Sequence, residues 1–165
     1  MAGVDSVEQP QRRGGASALR WASAAEDEQA LKAVELYGDP SQGEVRLASR
    51  PESAAVARRL THAVTVSQWA LPATTAENAV LLVSELVGNA VRHTGAREFG
   101  LRLRRRRGWL RVEVRDPSRG LPCLLPVQPL DTSGRGLLLV DMLATRWGAD
   151  LLPRGKTTWF EMRVP

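Results

Sequence analysis

The chain has 165 residues, of which 43% are hydrophobic, and a formal net charge of +5. This length and apolar content predict one folded domain with at most a short tail. The single cysteine, Cys123, excludes an internal disulfide, and no run reaches the roughly 18 apolar residues of a membrane span. We therefore expect a protein of the reducing cytoplasm that lies outside any membrane.

Residues 1–43 are rich in Ala, Gly, Ser, Gln and charged residues, without a sustained apolar period. Such a composition is typical of a segment that buries too little apolar surface to fold. We expect a mostly disordered leader over 1–43, with a short helix over 24–37 as the alternative, and a domain over 44–165.

The domain begins with EVRLAS at 44–49, whose alternation predicts a strand. Ser49 and Glu52 have the spacing of a capping box and Pro51 suits a first helical turn, so a helix is predicted from there to about Leu71-Pro72. A second capping box, Thr74 with Glu77, predicts a helix that ends at Thr94-Gly95.

A polar stripe interrupts the apolar pattern of the second helix. Glu85, Asn89 and His93 are spaced four residues apart and so lie on one helix face. Because leucines and valines occupy the other faces, burial of the helix predicts burial of the middle of this stripe. A buried carboxylate or amide needs a polar partner, either a neighbouring loop or a bound ligand.

Residues 99–104 and 110–115 alternate apolar and charged residues and predict a hairpin. Asp116 falls in phase with Leu110, Val112 and Val114, so its carboxylate is expected on the buried face at the end of the strand. Taken alone, a buried aspartate in this place is typical of a residue that caps a turn.

The last third of the chain predicts a loop, a helix and a second hairpin. Four prolines between 117 and 133 exclude a regular element, and Gly134-Arg135-Gly136 opens a helix through about Arg146. Residues 149–153 and 156–164 form the hairpin, with Thr158 and Phe160 on one face. The predicted fold is α+β, a two-layer sandwich of an antiparallel or mixed sheet with helices on one face.

Three of these features suit one ligand class. A carboxylate can accept from an amino group, glycines at a helix start bring N–H groups to an anion, and a helical amide can bind a hydrated Mg²⁺. Four segments together resemble the conserved boxes of the GHKL (Bergerat) ATP-binding domain. They are ELVGNAVRH at 85–93, DPSRG at 116–120, GRGL at 134–137 and GKTTWFEM at 155–162. Over about 44–165 the chain is most similar to the small anti-sigma factor serine kinases of actinobacterial type.

This resemblance implies a role for each box, with Mg²⁺ and ATP as cofactors. Glu85 would activate the attacking group, Asn89 would bind Mg²⁺, Asp116 would accept from the adenine amino group, and 117–133 would form a lid. The implied cofactor-binding residues are Asn89, Asp116, Gly120, Gly134, Arg135, Gly136, Leu137 and Thr158. Ser118 departs from the family pattern, because it stands where D-x-G-x-G has its first glycine.

The function implied is a regulatory serine/threonine kinase that phosphorylates a STAS-type anti-sigma antagonist, sequesters a sigma factor, or does both. A non-catalytic, ATP-dependent binding module is the alternative, and a homodimer is left open. An ATPase is disfavoured because the chain has no room for transducer domains. Residues 97–115 hold eight arginines and two glutamates, but 21 arginines against two lysines overall favour a solvated strand face over nucleic-acid binding.

Overall fold

The computed structural model describes residues 15–93, 95–117 and 134–165, with side chains from residue 24 onward and, after the second gap, from residue 139. The helices are α1 Gly15–Tyr37, α2 Ser53–His62, α3 Ala73–His93 and α4 Gly134–Leu143, and the strands are β1 Val45–Ala48, β2 Glu98–Arg106, β3 Trp109–Asp116, β4 Arg146–Leu152 and β5 Gly155–Arg163. A π-helical segment, Ala63–Gln68, continues α2.

The strands form one sheet in the order β1-β2-β3-β5-β4, and every neighbouring pair is antiparallel. Arg107 and Gly108 join β2 to β3 with positive φ values of 47° and 78°. Positive φ at both residues is typical of the two-residue turns that match the twist of a hairpin. The predicted α+β fold is confirmed, with the sheet in its antiparallel form.

The core lies between α3 and one face of the sheet, which we call the inner face. Leu110, Val112 and Val114 alternate along β3 toward this face and are at most 2% exposed. Leu82 and Val83 of α3 are fully buried in the same apolar cluster. Since each buried side chain of this size contributes roughly 1.5–3 kcal/mol by leaving water, this layer fixes the position of α3 on the sheet.

The opposite, outer face of the sheet carries the charged residues of the same strands. Arg111 donates to Glu113 (2.7 Å) and Glu161 (3.1 Å), and Arg115 donates twice to Glu44 (2.7 and 2.6 Å). The strand face that was expected to be solvated therefore also carries ion pairs between neighbouring strands. The Arg115–Glu44 pair is bidentate, a geometry that holds an arginine side chain more firmly than a single contact does.

The expectation of a mostly disordered leader is wrong for residues 24–43, whereas the alternative of a helix over 24–37 is confirmed. Ala30 and Ala33 are buried where α1 packs against α2, and Asp27 Oδ1 lies 2.8 Å from His62 Nε2. The contact is made by small side chains, so the sequence shows little apolar period there. Among the described residues, no helix has the length and apolar character of a membrane span.

The helix starts differ from the two predicted capping boxes. Ser49 N–H donates to the Arg97 carbonyl (2.8 Å), so the first box does not form, and α2 begins at Ser53, whose hydroxyl donates to the Ala48 carbonyl (2.6 Å). Helix α3 begins at Ala73, which places Thr74 inside the first turn. The fourth helix ends at Leu143, and β4 begins at Arg146, where the sequence predicted helix.

Candidate functional site

Helix α3 carries Glu85 and Asn89 along one flank, beside the buried ridge formed by Leu82, Leu86 and Ala90. Both polar side chains are half-buried. Within the residues that the structure describes, neither has a hydrogen-bond or ion-pair partner. Side chains four residues apart point the same way, so the flank presents a carboxylate and an amide side by side.

The burial expected for the middle of this stripe is therefore corrected to half-burial, and His93 at its end is exposed. The reason is geometric. Helix α3 packs against the sheet, against α2 and against α4, and the flank with Glu85 and Asn89 lies at the margin of these contacts. A half-buried carboxylate and amide that have no protein partner among the described residues remain able to bind a ligand.

Asp116 lies at the end of β3 on the inner face, as its phase with Leu110, Val112 and Val114 predicts. The side chain is 3% exposed, and it is the one buried charged residue in the described part of the chain. Burial of a carboxylate costs free energy unless polar groups compensate. The alternation of β3 places this carboxylate on the inner face, although that position removes it from water.

Two residues beside Asp116 were missed by the sequence analysis. Lys156 is its direct partner across the β3–β5 ladder. Gly155, with φ of 102°, lies so close that a Cβ at this position would overlap the Asp116 carbonyl oxygen. The sequence left residues 154 and 155 as the turn of the last hairpin, whereas in the structure Gly155 is the first residue of β5. Only the strand register reveals that Gly155 lies against Asp116.

Thr158 is half-buried on the inner face of β5, opposite Val114. It is two residues from Lys156, and so stands diagonal to Asp116 across the ladder. Side chains in this relation lie about 7–8 Å apart. The structure thus brings together Asp116 and Thr158, the carboxylate and the hydroxyl that the resemblance assigns to the adenine side.

The glycine-rich segment opens a helix, as predicted: α4 starts at Gly134 and packs against α3. Backbone N–H groups at a helix start have no intrahelical partner, and an anion can accept from them. The side chains of Arg135 and Leu137 lie outside the described residues. So do Gly120 and Ser118, with the rest of 118–133.

The donor set fits Mg²⁺ bound mainly by a nucleotide. The described ranges contain no group of three or more His, Cys, Asp or Glu residues that could hold a metal ion on their own. Mg²⁺ usually keeps several waters and binds protein through one or two side-chain oxygens together with substrate phosphates. The Asn89 carboxamide can supply one such oxygen, and Glu85 stands one helical turn away.

A comparison with models of protein families identifies the family to which most of this domain is similar. The family of the histidine kinase-like ATPase domain matches residues 47–162, from β1 to the end of β5. This range contains Glu85, Asn89, Asp116 and Thr158. A comparison with curated protein sequences found no match.

Two of the solved structures to which the chain is similar come from the blue-light activated histidine kinase of Erythrobacter litoralis EL346. Its histidine kinase domain is 21% identical, with a TM-score of 0.46, over 90% of this chain and 83% of that one. A second structure of the kinase is 22% identical, with a TM-score of 0.47, over 88% of this chain. The chain spans half the length of that second structure.

Proposed function

Because the chain belongs to the histidine kinase-like ATPase family, we propose that it binds ATP with Mg²⁺ and acts as a regulatory protein of the anti-sigma factor kinase type. The observation that carries this proposal is the buried carboxylate of Asp116 at the end of β3, next to Thr158. A buried acceptor beside a hydroxyl suits the edge of an adenine ring, which presents an amino donor and a ring nitrogen acceptor. The same arrangement disfavours guanine, which presents an oxygen where adenine has its amino group.

The phosphate side of the proposed site is formed by α3 and α4. Asn89 would bind Mg²⁺, and the N–H groups at the start of α4, from Gly134 to Leu137, would receive phosphate oxygens. Gly120 would belong to the adenine-side box, by resemblance alone. When bound, Mg²⁺ supplies positive charge that neutralises the phosphates.

For chemistry, the proposal assigns Glu85 the role of general base. Its carboxylate would accept the proton of a serine or threonine hydroxyl, whose oxygen then bonds to the γ-phosphorus. The bond from that phosphorus to the bridging oxygen breaks, and ADP leaves. We propose a STAS-type anti-sigma antagonist as the protein substrate, with a sigma factor as a further partner. A chain that binds ATP without transfer would be a regulated binding module instead.

The test is a titration with ATP and Mg²⁺ of the wild type and of Asn89→Ala and Asp116→Ala. Losing a hydrogen bond to a charged group costs about 1.5–3 kcal/mol, so we expect each variant to bind roughly 10- to 100-fold more weakly. The affinity of Asn89→Ala should also depend less on Mg²⁺. Calorimetry measures both effects.

The matched control is Asn78→Ala. Asn78 is also a half-buried asparagine of α3, three turns before Asn89, and its removal should change the affinity less than about twofold. Absence of binding in the wild type would refute the nucleotide proposal, as would equal affinities for the wild type, Asn89→Ala and Asp116→Ala.

A further inference from the structure

A groove of about 470 Å³ lies along the second half of β2, on the side where β1 has already ended. We call it the arginine groove. Its lining residues are Ser41, Gln42, Gln68, Trp69, Arg102, Arg104, Arg105 and Arg106. Four guanidinium groups and three neutral polar side chains converge there, so the groove is basic and rich in hydrogen-bond donors.

The arginines of the groove differ from those farther along the outer face. Arg111 and Arg115 have carboxylate partners within 2.7 Å, and the hydrogen bonds that Arg115 donates to Glu44 raise the pKa of its guanidinium despite its partial burial. In the groove, Arg104 Nε lies 4.0 Å from Glu113 Oε2, too far for a hydrogen bond. The positive charge of Arg104 is therefore compensated more weakly than that of Arg111 or Arg115.

Two further groove arginines support this contrast. Arg106 makes no ion pair in the described part of the chain, and Arg102 Nε is buried there with no hydrogen-bond partner. An unpaired buried donor on a charged group costs free energy that an anionic acceptor would recover. Asp39 accepts from two groove residues, Ser41 (2.8 and 2.7 Å) and Gln68 (2.7 Å), and among the described residues it makes no ion pair with a groove arginine.

The main chain beside the groove is suited to a peptide. Leu103 N–H donates to the Pro40 carbonyl at 3.0 Å, on the side of β2 that faces away from β3. Because the direction of main-chain groups alternates along a strand, those of Arg105 face the same open side. An extended segment can add its own main chain to such an edge. The Arg105 guanidinium is meanwhile fixed by the Trp69 and Pro165 oxygens (3.2 and 2.8 Å).

The same surface is poorly suited to nucleic acid. Single strands bind through aromatic rings on which bases stack. On the outer face the Trp109 ring is covered by Arg146 and Arg163, at 4.1 and 4.0 Å, and the Trp159 ring by Arg111 at 4.2 Å. A single half-buried indole, that of Trp69, lines the groove, and one ring does not make a stacking track.

We propose that the arginine groove binds an extended acidic segment of a partner protein, with carboxylates on the guanidinium groups and main chain on the open side of β2. Arg106 pairs with Trp109 at the start of β3, which is roughly 20 Å from Asp116 at strand spacing. The groove is thus separate from the nucleotide site, and the proposal does not depend on ATP binding. A partner held there leaves the nucleotide site open.

The probe is a fluorescein-labelled ten-residue peptide with Glu at alternate positions, compared by anisotropy with the same peptide carrying Gln. We expect the Glu peptide to bind at least tenfold more tightly. The double variant Arg104→Glu/Arg106→Glu should lose at least about tenfold in affinity, and Arg104→Gln/Arg106→Gln should lose somewhat less. The matched control, Arg50→Glu/Arg59→Glu, changes net charge equally at exposed arginines outside the groove and should lose less than threefold.

Three results would overturn the proposal. The first is equal binding of the Glu and Gln peptides. The second is an equal loss in the groove variants and in the control, which would indicate attraction by net charge alone. The third is tighter binding of a labelled single-stranded oligonucleotide that the groove variants abolish, which would assign the groove to nucleic acid. Circular dichroism of each variant verifies that it is folded.

Discussion

Glu85 and Asn89 are the residues on which the proposed chemistry depends, and their environment is unusual for polar side chains in a packed helix. Both are half-buried on α3 and, among the described residues, lack protein partners. Partial burial strengthens electrostatic interactions with a bound ion or phosphate, because less water screens them. Among the described residues neither side chain is engaged by another protein group, so both are available to the ligand that we propose.

At this residue scale, Glu85→Gln separates binding from chemistry. The amide keeps the size of the side chain but cannot take a proton, so phosphoryl transfer should fall roughly 10²- to 10⁴-fold while the affinity for ATP changes less than threefold. Transfer of radiolabelled phosphate from ATP to a STAS-type antagonist protein measures the first quantity, and calorimetry the second.

The control for this substitution is Glu77→Gln, on the exposed side of the first turns of the same helix. It should leave both transfer and affinity unchanged. Undiminished transfer in Glu85→Gln would exclude Glu85 as the base. Absence of transfer in the wild type, with ATP bound, would favour the non-catalytic binding module.

At the scale of elements, the end of β3 is held by the turn between β4 and β5. Gly155, the first residue of β5 after this turn, has φ of 102°, a conformation that disfavours any side chain, and a Cβ on it would point at the Asp116 carbonyl. The main chain of the last hairpin thus contacts the main chain of Asp116 and helps to fix the position of this residue. The contact links the stability of the turn to the geometry of the candidate site.

We expect Gly155→Ala to lower the free energy of unfolding by roughly 2–4 kcal/mol, because the added Cβ combines backbone strain with overlap of the Asp116 carbonyl. Urea unfolding measures the loss. Gly43→Ala is the control: a Cβ there meets nothing within 4 Å, and stability should change by less than about 1 kcal/mol. Equal stabilities of the two variants would show that the close approach at Gly155 is not a constraint.

The elements show which parts of the fold local sequence can specify. The period of two along β2, β3 and β5 predicted their inner faces, and with them the burial of Asp116, since alternation is a property of each strand alone. Helix α1 was only the alternative to a disordered leader, because its packing uses alanines. The first capping box did not form because a tertiary contact takes its place, and the second did not form because α3 begins at Ala73, before Thr74. In the first box, Ser49 N–H bonds to Arg97 at the end of a distant loop.

The candidate site illustrates the same limit. Asn89, Asp116 and Thr158 could each be placed on an element from the sequence. The neighbours of Asp116, Gly155 and Lys156, depend on the register between β3 and β5, which joins segments about 40 residues apart. The alternation of side chains does not determine this register, because several alignments of two alternating strands bury the same faces.

On the scale of the whole molecule, charge is divided among three surfaces. The outer sheet face holds arginines that are paired with glutamates. The arginine groove at one end of β2 holds arginines that, among the described residues, have no side-chain carboxylate within hydrogen-bond distance. The α3 flank holds a carboxylate and an amide. An acidic partner and a nucleotide could therefore occupy the same chain at once. Such an arrangement suits a regulator whose partner and nucleotide are bound on different surfaces.

The measurement that tests the central claim most directly is the thermal unfolding midpoint with and without Mg²⁺-ATP. A ligand at about 100 times its Kd stabilises the folded state by about 2.7 kcal/mol, which for a chain of this size raises Tm by roughly 5–10 °C. We predict this rise for the wild type and, at the same ATP concentration, about half of it or less for Asp116→Ala, whose affinity is expected to be roughly 10- to 100-fold lower. An unchanged Tm in the wild type, or the same rise in Asp116→Ala, would contradict nucleotide binding at this site.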